Sequence, residues 1–193
     1  PRGPRVPHPP VPLPPYEPAH RRLIDGILWL QQPSGLFPTA FPPAHSLTGQ
    51  DFFPGEAFFA LASHFAREPS QKVNDAFDRG IGWYRDHFRN RPSPAFVPWQ
   101  AQAFARMAGQ TRRQDYLDFT WELTDWAVQA VLTPQRCEFA DLWGGVWGPY
   151  EEDAGASTAA FLETFCEAAL LARKLGDRER EAMYTALVRQ CAR

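Results

Sequence analysis

The stretch PGEAFFALASHFAREPSQKVNDAFDRGIGWYRDHF, residues 54–88, decides the fold. Pro54 suits the first turn of a helix, where its missing N–H has no bond to make. Behind it Phe58, Leu61, Ala62 and Phe65 recur at helical spacing and form one buried face. Pro69 ends that pattern and Ser70 offers a cap for the next helix. Val73, Phe77, Ile81, Tyr84 and Phe88 then draw a second stripe of the same period. Two amphipathic helices, residues 54–67 and 70–88, joined by so short a turn must run antiparallel, so the stretch is a helix hairpin.

The same phrase returns twice. A small-residue-rich helix over 98–107, a turn at Gly109 and a long helix over 113–132 repeat it. Ala60-Leu61-Ala62 aligns there with Ala103-Phe104-Ala105, and Val73 with Tyr116, at an offset of about 43 residues, inside the range that signals structural repeats. Residues 157–175, the turn Gly176-Asp177 and residues 178–190 supply a third copy. A leading helix carries Leu23, Ile27, Leu28 and Leu30 and stops at Pro33-Ser34-Gly35. The reading is an all-α chain of repeated antiparallel helix hairpins. Residues 1–18, rich in proline, form an arm or linker, and 19–193 form the helical-hairpin domain.

Composition narrows the function classes. With 44% apolar and 14% aromatic residues, the 193-residue chain can build a real core. A formal net charge of -2 leaves no field to attract nucleic acid or anionic lipid. No apolar run reaches the length of a membrane span. Cys137, Cys166 and Cys191 are odd in number and lack ligand spacing, which favours a reducing, cytoplasmic compartment and gives no zinc motif. His8, His20, His45, His64 and His87 are scattered without an H-E-x-x-H pattern, so neither a metal nor a cofactor is expected.

The phrase Pro54-Gly55-Glu56 opening a small-residue helix, followed by a short turn and an aromatic outer helix, resembles the α/α-toroid enzymes. These include the six-hairpin glycosidases, the N-acylglucosamine epimerases and the helical domain of the glucuronyl epimerases. The text from Ser157-Thr158-Ala159 through Glu163 to Ala169, closing on Leu175-Gly176-Asp177, is similar to inner-helix and turn text of that superfamily. The resemblance runs over residues 19–193 and is architectural. It implies a toroid that is partial or open, since only about half of the six hairpins are present. The leading helix reads as an outer helix without its inner partner, so a larger protein extending upstream of Pro1 is expected.

Within each hairpin the turn is short, whereas the segments 33–53, 89–98 and 133–156 are long. Antiparallel helices alternate ends, so all three long segments are expected at one pole. That mouth would gather Asp51, Glu56, Asp141 and Glu151 as candidate catalytic carboxylates, of the kind that glycoside hydrolysis uses in pairs. It would also gather Trp99, Gln100, Trp143, Trp147 and Tyr150 as candidate substrate-binding groups, flat surfaces and an amide against which a sugar ring stacks and bonds. Each has a plainer role open to it: Glu56 complements a helix N-terminus, Asp51 caps a turn, and the aromatics of 141–150 plug the mouth. Two functions follow: a domain of a larger protein that binds or processes carbohydrate, by glycoside hydrolysis or epimerisation where it is an enzyme, or a non-catalytic helical-repeat scaffold for a protein partner.

Overall fold

The computed structural model describes residues 16–40, 48–146 and 156–192. Within them the chain is all-helical: α1 (Glu17–Leu30), α2 (Phe53–Phe65), α3 (Gln71–Asn90), α4 (Val97–Thr111), α5 (Gln114–Val128), α6 (Ala156–Leu175) and α7 (Arg178–Cys191), with a short 3-10 turn at Ala140–Leu142. Proline occupies the first turn of α1, α2 and α4, as its missing donor allows. Asp177 caps α7 by accepting the Arg180 N–H at 3.0 Å.

Three local expectations are revised. Ser70 stands at the N-cap of α3 with extended backbone, but its hydroxyl makes no cap bond. Gly109 makes no turn, and α4 continues to Thr111 and stops where Arg112 takes φ 60°. Gly109 lies inside α4 facing α6, where a Cβ would make an ordinary contact with Leu171 at 3.5 Å, and Lys174 Nζ donates to its carbonyl at 2.6 Å. The helix after it ends at Val128, short of 132, because Val131 bridges to Val146 and Leu132 exchanges bonds with Gly144 and Gly145 at 2.8–2.9 Å.

Helices α2, α4 and α6 pack side by side, with α4 in the middle. Each is followed by its antiparallel companion, α3, α5 and α7, and α1 packs on α2 and α3. The core fills the space between the two rows. Its hub is Phe58 on α2, fully buried, whose ring centroid lies 5.1 Å from Phe37, 4.8 Å from Phe77, 5.5 Å from Tyr84 and 5.6 Å from Phe104. Phe104 passes the contact on to Tyr116 and Phe119 of α5. Gly80 exists for this hub, since a Cβ there would sit 2.2 Å from the tip of the Phe58 ring.

The companion helices are joined by a device that appears twice. Tyr116 on α5 donates its hydroxyl to Asp78 on α3 at 2.5 Å, and Arg113 both pairs with Asp78 and lies 4.3 Å over the Tyr116 ring. Tyr184 on α7 donates to Asp125 on α5 at 2.6 Å, and Arg180 reaches Asp125 at 3.5 Å while lying 4.9 Å over Trp121. Burial first, then the bond to aspartate, pushes both phenols far above the ordinary tyrosine range, and burial does the same to Tyr84. The unfolded chain ionises its phenols near pH 10. Folded-state values raised above that make a contribution present below about pH 10 and lost as pH rises, because above it the unfolded state binds fewer protons. An alkaline titration is therefore expected to unfold the protein cooperatively above about pH 10, with tyrosinate absorbance of these phenols appearing only as circular dichroism is lost. Tyrosinate signal from all five tyrosines in a fully folded protein would contradict this.

The described parts of the three long segments meet at one end of the fold, although the first reaches it only after residues 33–37 have run beside the middle of α3, where Gly35 lies against the Arg79 carbonyl. Asp51, just before α2, meets His87 in the last turn of α3 at 2.9 Å. Phe96, just before α4, stacks on Phe88 at 5.3 Å, and Phe88 meets Trp126 near the end of α5 at 5.5 Å. Pro94 lines one cleft with Trp126, Val131 and Leu132. The short turns lie at the other end, where Arg21 of α1 pairs with Glu68 at 3.0 Å.

Candidate functional site

The face of α2, α4 and α6 turned away from the companion helices has no element packed over it among the described residues. On α2 it shows Glu56, Phe59 and Ser63, at i, i+3 and i+7. On α4 it shows Trp99 and Arg106, again seven apart, and on α6 Glu163, Glu167 and Leu170. Trp99 meets Phe59 edge to face at 5.6 Å, and Gly55 lets the two helices close here, since a Cβ on it would lie 2.7 Å from the Trp99 Cβ. Thr164 donates to the Pro98 carbonyl at 3.3 Å, which sets Glu163 at the level of Trp99. Glu56 and Glu163 thus stand on the helices flanking Trp99.

Arg106 clamps the three helices together below this platform. Its guanidinium lies 4.1 Å over the Phe59 ring, donates to Ser63 Oγ at 2.8 Å, and makes two bonds to Glu167 at 3.1 and 2.7 Å. The planar fork satisfies all three partners at once, which a lysine could not do. A groove of about 490 Å³ runs along this face toward the short-turn end, lined by Ser63, Arg106, Gln110, Glu167, Leu170 and Lys174. An edge-to-face aromatic pair, two exposed carboxylates and a groove lined by polar and charged side chains are the groups with which proteins hold polar rings.

The structure brings together only part of the expected site. Glu56 and Trp99 share the open face. Gln100, one residue on, is buried rather than on the open face, 1% exposed, and neither amide atom finds a partner among the described residues. Asp51 lies on the α3 side, held by His87, which is itself stacked on Trp83 at 5.0 Å. Asp141 is exposed in the 3-10 turn, and Trp143, 40% exposed, donates its indole N–H to the Cys137 carbonyl at 2.8 Å. That loop is fastened to α5 by the Val131–Val146 bridge and to α7 by Gly144, at φ 92°, whose α-carbon leaves no room for a side chain against the Gln190 carbonyl. Trp147, Tyr150 and Glu151 lie outside the described residues.

Sequence reasoning missed Phe59, Arg106, Glu163, Glu167 and the His87 partner of Asp51. The first four were available from helical projection, since they repeat at three, four or seven residues from Glu56, Trp99 or one another. His87 was available from hairpin geometry, because the last turn of α3 must return beside the first turn of α2. Among the described residues no group of three or more His, Cys, Asp and Glu side chains is placed to hold a metal ion, and no helix is long and apolar enough to cross a membrane.

Comparison with protein-family models, with curated proteins and with solved structures found no match for this chain. The class that the fold itself defines is an all-α domain whose side-by-side helices present an aromatic and acidic face.

Proposed function

We propose that this chain is an open, toroid-like arc of helix hairpins, part of a larger protein, that binds carbohydrate on the uncovered face of α2, α4 and α6. The single observation that carries the reading is the Trp99–Phe59 platform, flanked by Glu56 on α2 and Glu163 on α6. The order of an inner row of three helices with outer companions supports the arc, and so does the recurring tyrosine–aspartate–arginine joint between companions. A sugar ring stacks on Trp99, its hydroxyls meet the two carboxylates, and the chain of the glycan runs down the groove past Arg106. Where the protein processes its ligand, the flanking carboxylates are the acid and base, as glycoside hydrolysis and epimerisation require.

A panel of neutral and acidic oligosaccharides, titrated against the native chain and Trp99→Ala, tests the reading. The native chain is expected to bind at least one, and Trp99→Ala to weaken that binding by at least about tenfold, or about 1.4 kcal/mol. Glu56→Gln, at an exposed position, is expected to keep the helical circular dichroism while lowering affinity or abolishing turnover. Binding that survives both changes, or no binding to any sugar, defeats the proposal. In the second case a protein partner in the same groove, suggested by Leu170 at 56% exposure, becomes the reading to pursue.

A further inference from the structure

Helix α1 presents two apolar faces, and among the described residues only one is packed against the rest of the fold. Ile24, 5% exposed, and Leu28 pack against the core. On another side Tyr16, Ala19, Leu23, Gly26 and Leu30 follow one another at intervals of three, four, three and four residues, the spacing of a helix-pairing seam. Tyr16 is 67% exposed, Leu23 69% and Leu30 36%, and a Cβ added to Gly26 would meet nothing within 4 Å. Trp29, 82% exposed, stands at the flank of this seam together with Arg22.

We propose that this seam pairs with the α1 of a second copy of the chain, antiparallel, about a two-fold axis between Leu23 and Gly26. The seam alternates large and small, and an antiparallel partner inverts that order. Leu23 then falls on Gly26 of the second copy, and Leu30 on Ala19, so each large side chain enters the space above a small one. In the same register Arg22 of each chain approaches Trp29 of the other, a guanidinium against an indole face, made twice by symmetry. A parallel pairing would instead set Leu23 on Leu23 and Gly26 on Gly26, and would put the Arg22 and Trp29 flanks of the two chains on opposite sides of the seam, where they cannot meet. The charge and size pattern therefore selects a second copy in one orientation. Two four-turn helices bury less than the roughly 1,200 Å² of a standing interface, so the dimer is weak and forms at high concentration or when the chains are tethered nearby.

Sedimentation equilibrium of the full chain between about 10 µM and about 1 mM reads this directly. The weight-average mass is expected to rise toward that of a dimer. Leu23→Glu or Gly26→Lys alone is expected to weaken association at least tenfold with unchanged circular dichroism. The double change Leu23→Glu with Gly26→Lys is expected to restore it, since each new carboxylate then faces a new ammonium across the axis. A chain that stays monomeric to the highest concentration overturns the proposal and leaves the seam to a different helix. So does a dimer indifferent to Leu23→Glu, or one that the double change fails to rescue.

Discussion

Phe58→Ala is expected to lower folding stability by about 4 kcal/mol, the middle of the range for deleting a buried aromatic side chain. The residue is fully buried and touches four rings from three different parts of the chain: Phe37 ahead of α2, Phe77 and Tyr84 on α3, and Phe104 on α4. No neighbour can collapse into the space without abandoning its other contacts, because Phe77 and Phe104 are also packed on Tyr116. The bare backbone of Gly80 on one wall of the cavity has no side chain to swing in. For a chain of this size the loss corresponds to a fall in melting temperature of roughly 10 °C. Chemical denaturation measures it as a lower midpoint with an unchanged slope. A loss below about 1.5 kcal/mol would mean that the hub refills, and that the two rows are held elsewhere.

Tyr84→Phe removes one oxygen and is expected to cost about 2–3 kcal/mol. The Tyr84 hydroxyl accepts the Phe37 N–H at 2.9 Å and donates to Gln50 Oε1 at 3.0 Å, while Gln50 Nε2 donates to the Phe37 carbonyl at 2.8 Å. This closed ring is buried, and it pins both ends of the segment that leads from α1 to α2. Without the hydroxyl the Phe37 N–H and the Gln50 carbonyl oxygen keep their burial and lose a partner, which is costlier than never having had the bond. Because Asp51 follows Gln50 directly, its contact with His87 loosens too, and hydrogen exchange at the start of α2 is expected to quicken. Equal stability of the two proteins would show that the segment is held by its apolar contacts alone. Burial keeps the Tyr84 phenol protonated far above the ordinary range, against the Phe37 N–H bond, which works in the opposite direction.

Much of this was legible in the sequence, for identifiable reasons. Helix starts at Pro54 and Pro98 and the turn at Gly176-Asp177 follow from local chemistry that tertiary contacts do not override. The stripes containing Phe58, Phe77 and Tyr84 became the core because their period matches the helix. Gly109 misled because a glycine inside a helix looks like a stop, whereas α4 continues through it and ends only where Arg112 turns left-handed. The site was less legible. Gln100 was assigned beside Trp99, yet adjacent residues on a helix point about 100° apart and cannot share a face. Asp51 and Asp141 lie in connecting segments, where the direction of a side chain is set by what the loop is fastened to: His87 in one case, α5 and α7 in the other. Convergence of loops at one pole therefore did not bring their carboxylates to one place, because the pole extends along the whole row of helices.

Carboxyl footprinting with a water-soluble carbodiimide, with and without the best-binding oligosaccharide, tests the central claim most directly. Glu56 and Glu163 are predicted to be shielded by the ligand while Asp141 and the companion-helix acids Asp75 and Asp118 label at unchanged rates. Shielding of Asp141 with Glu56 and Glu163 left reactive would place the ligand on the α5–α7 side and contradict the assignment of the α2, α4 and α6 face.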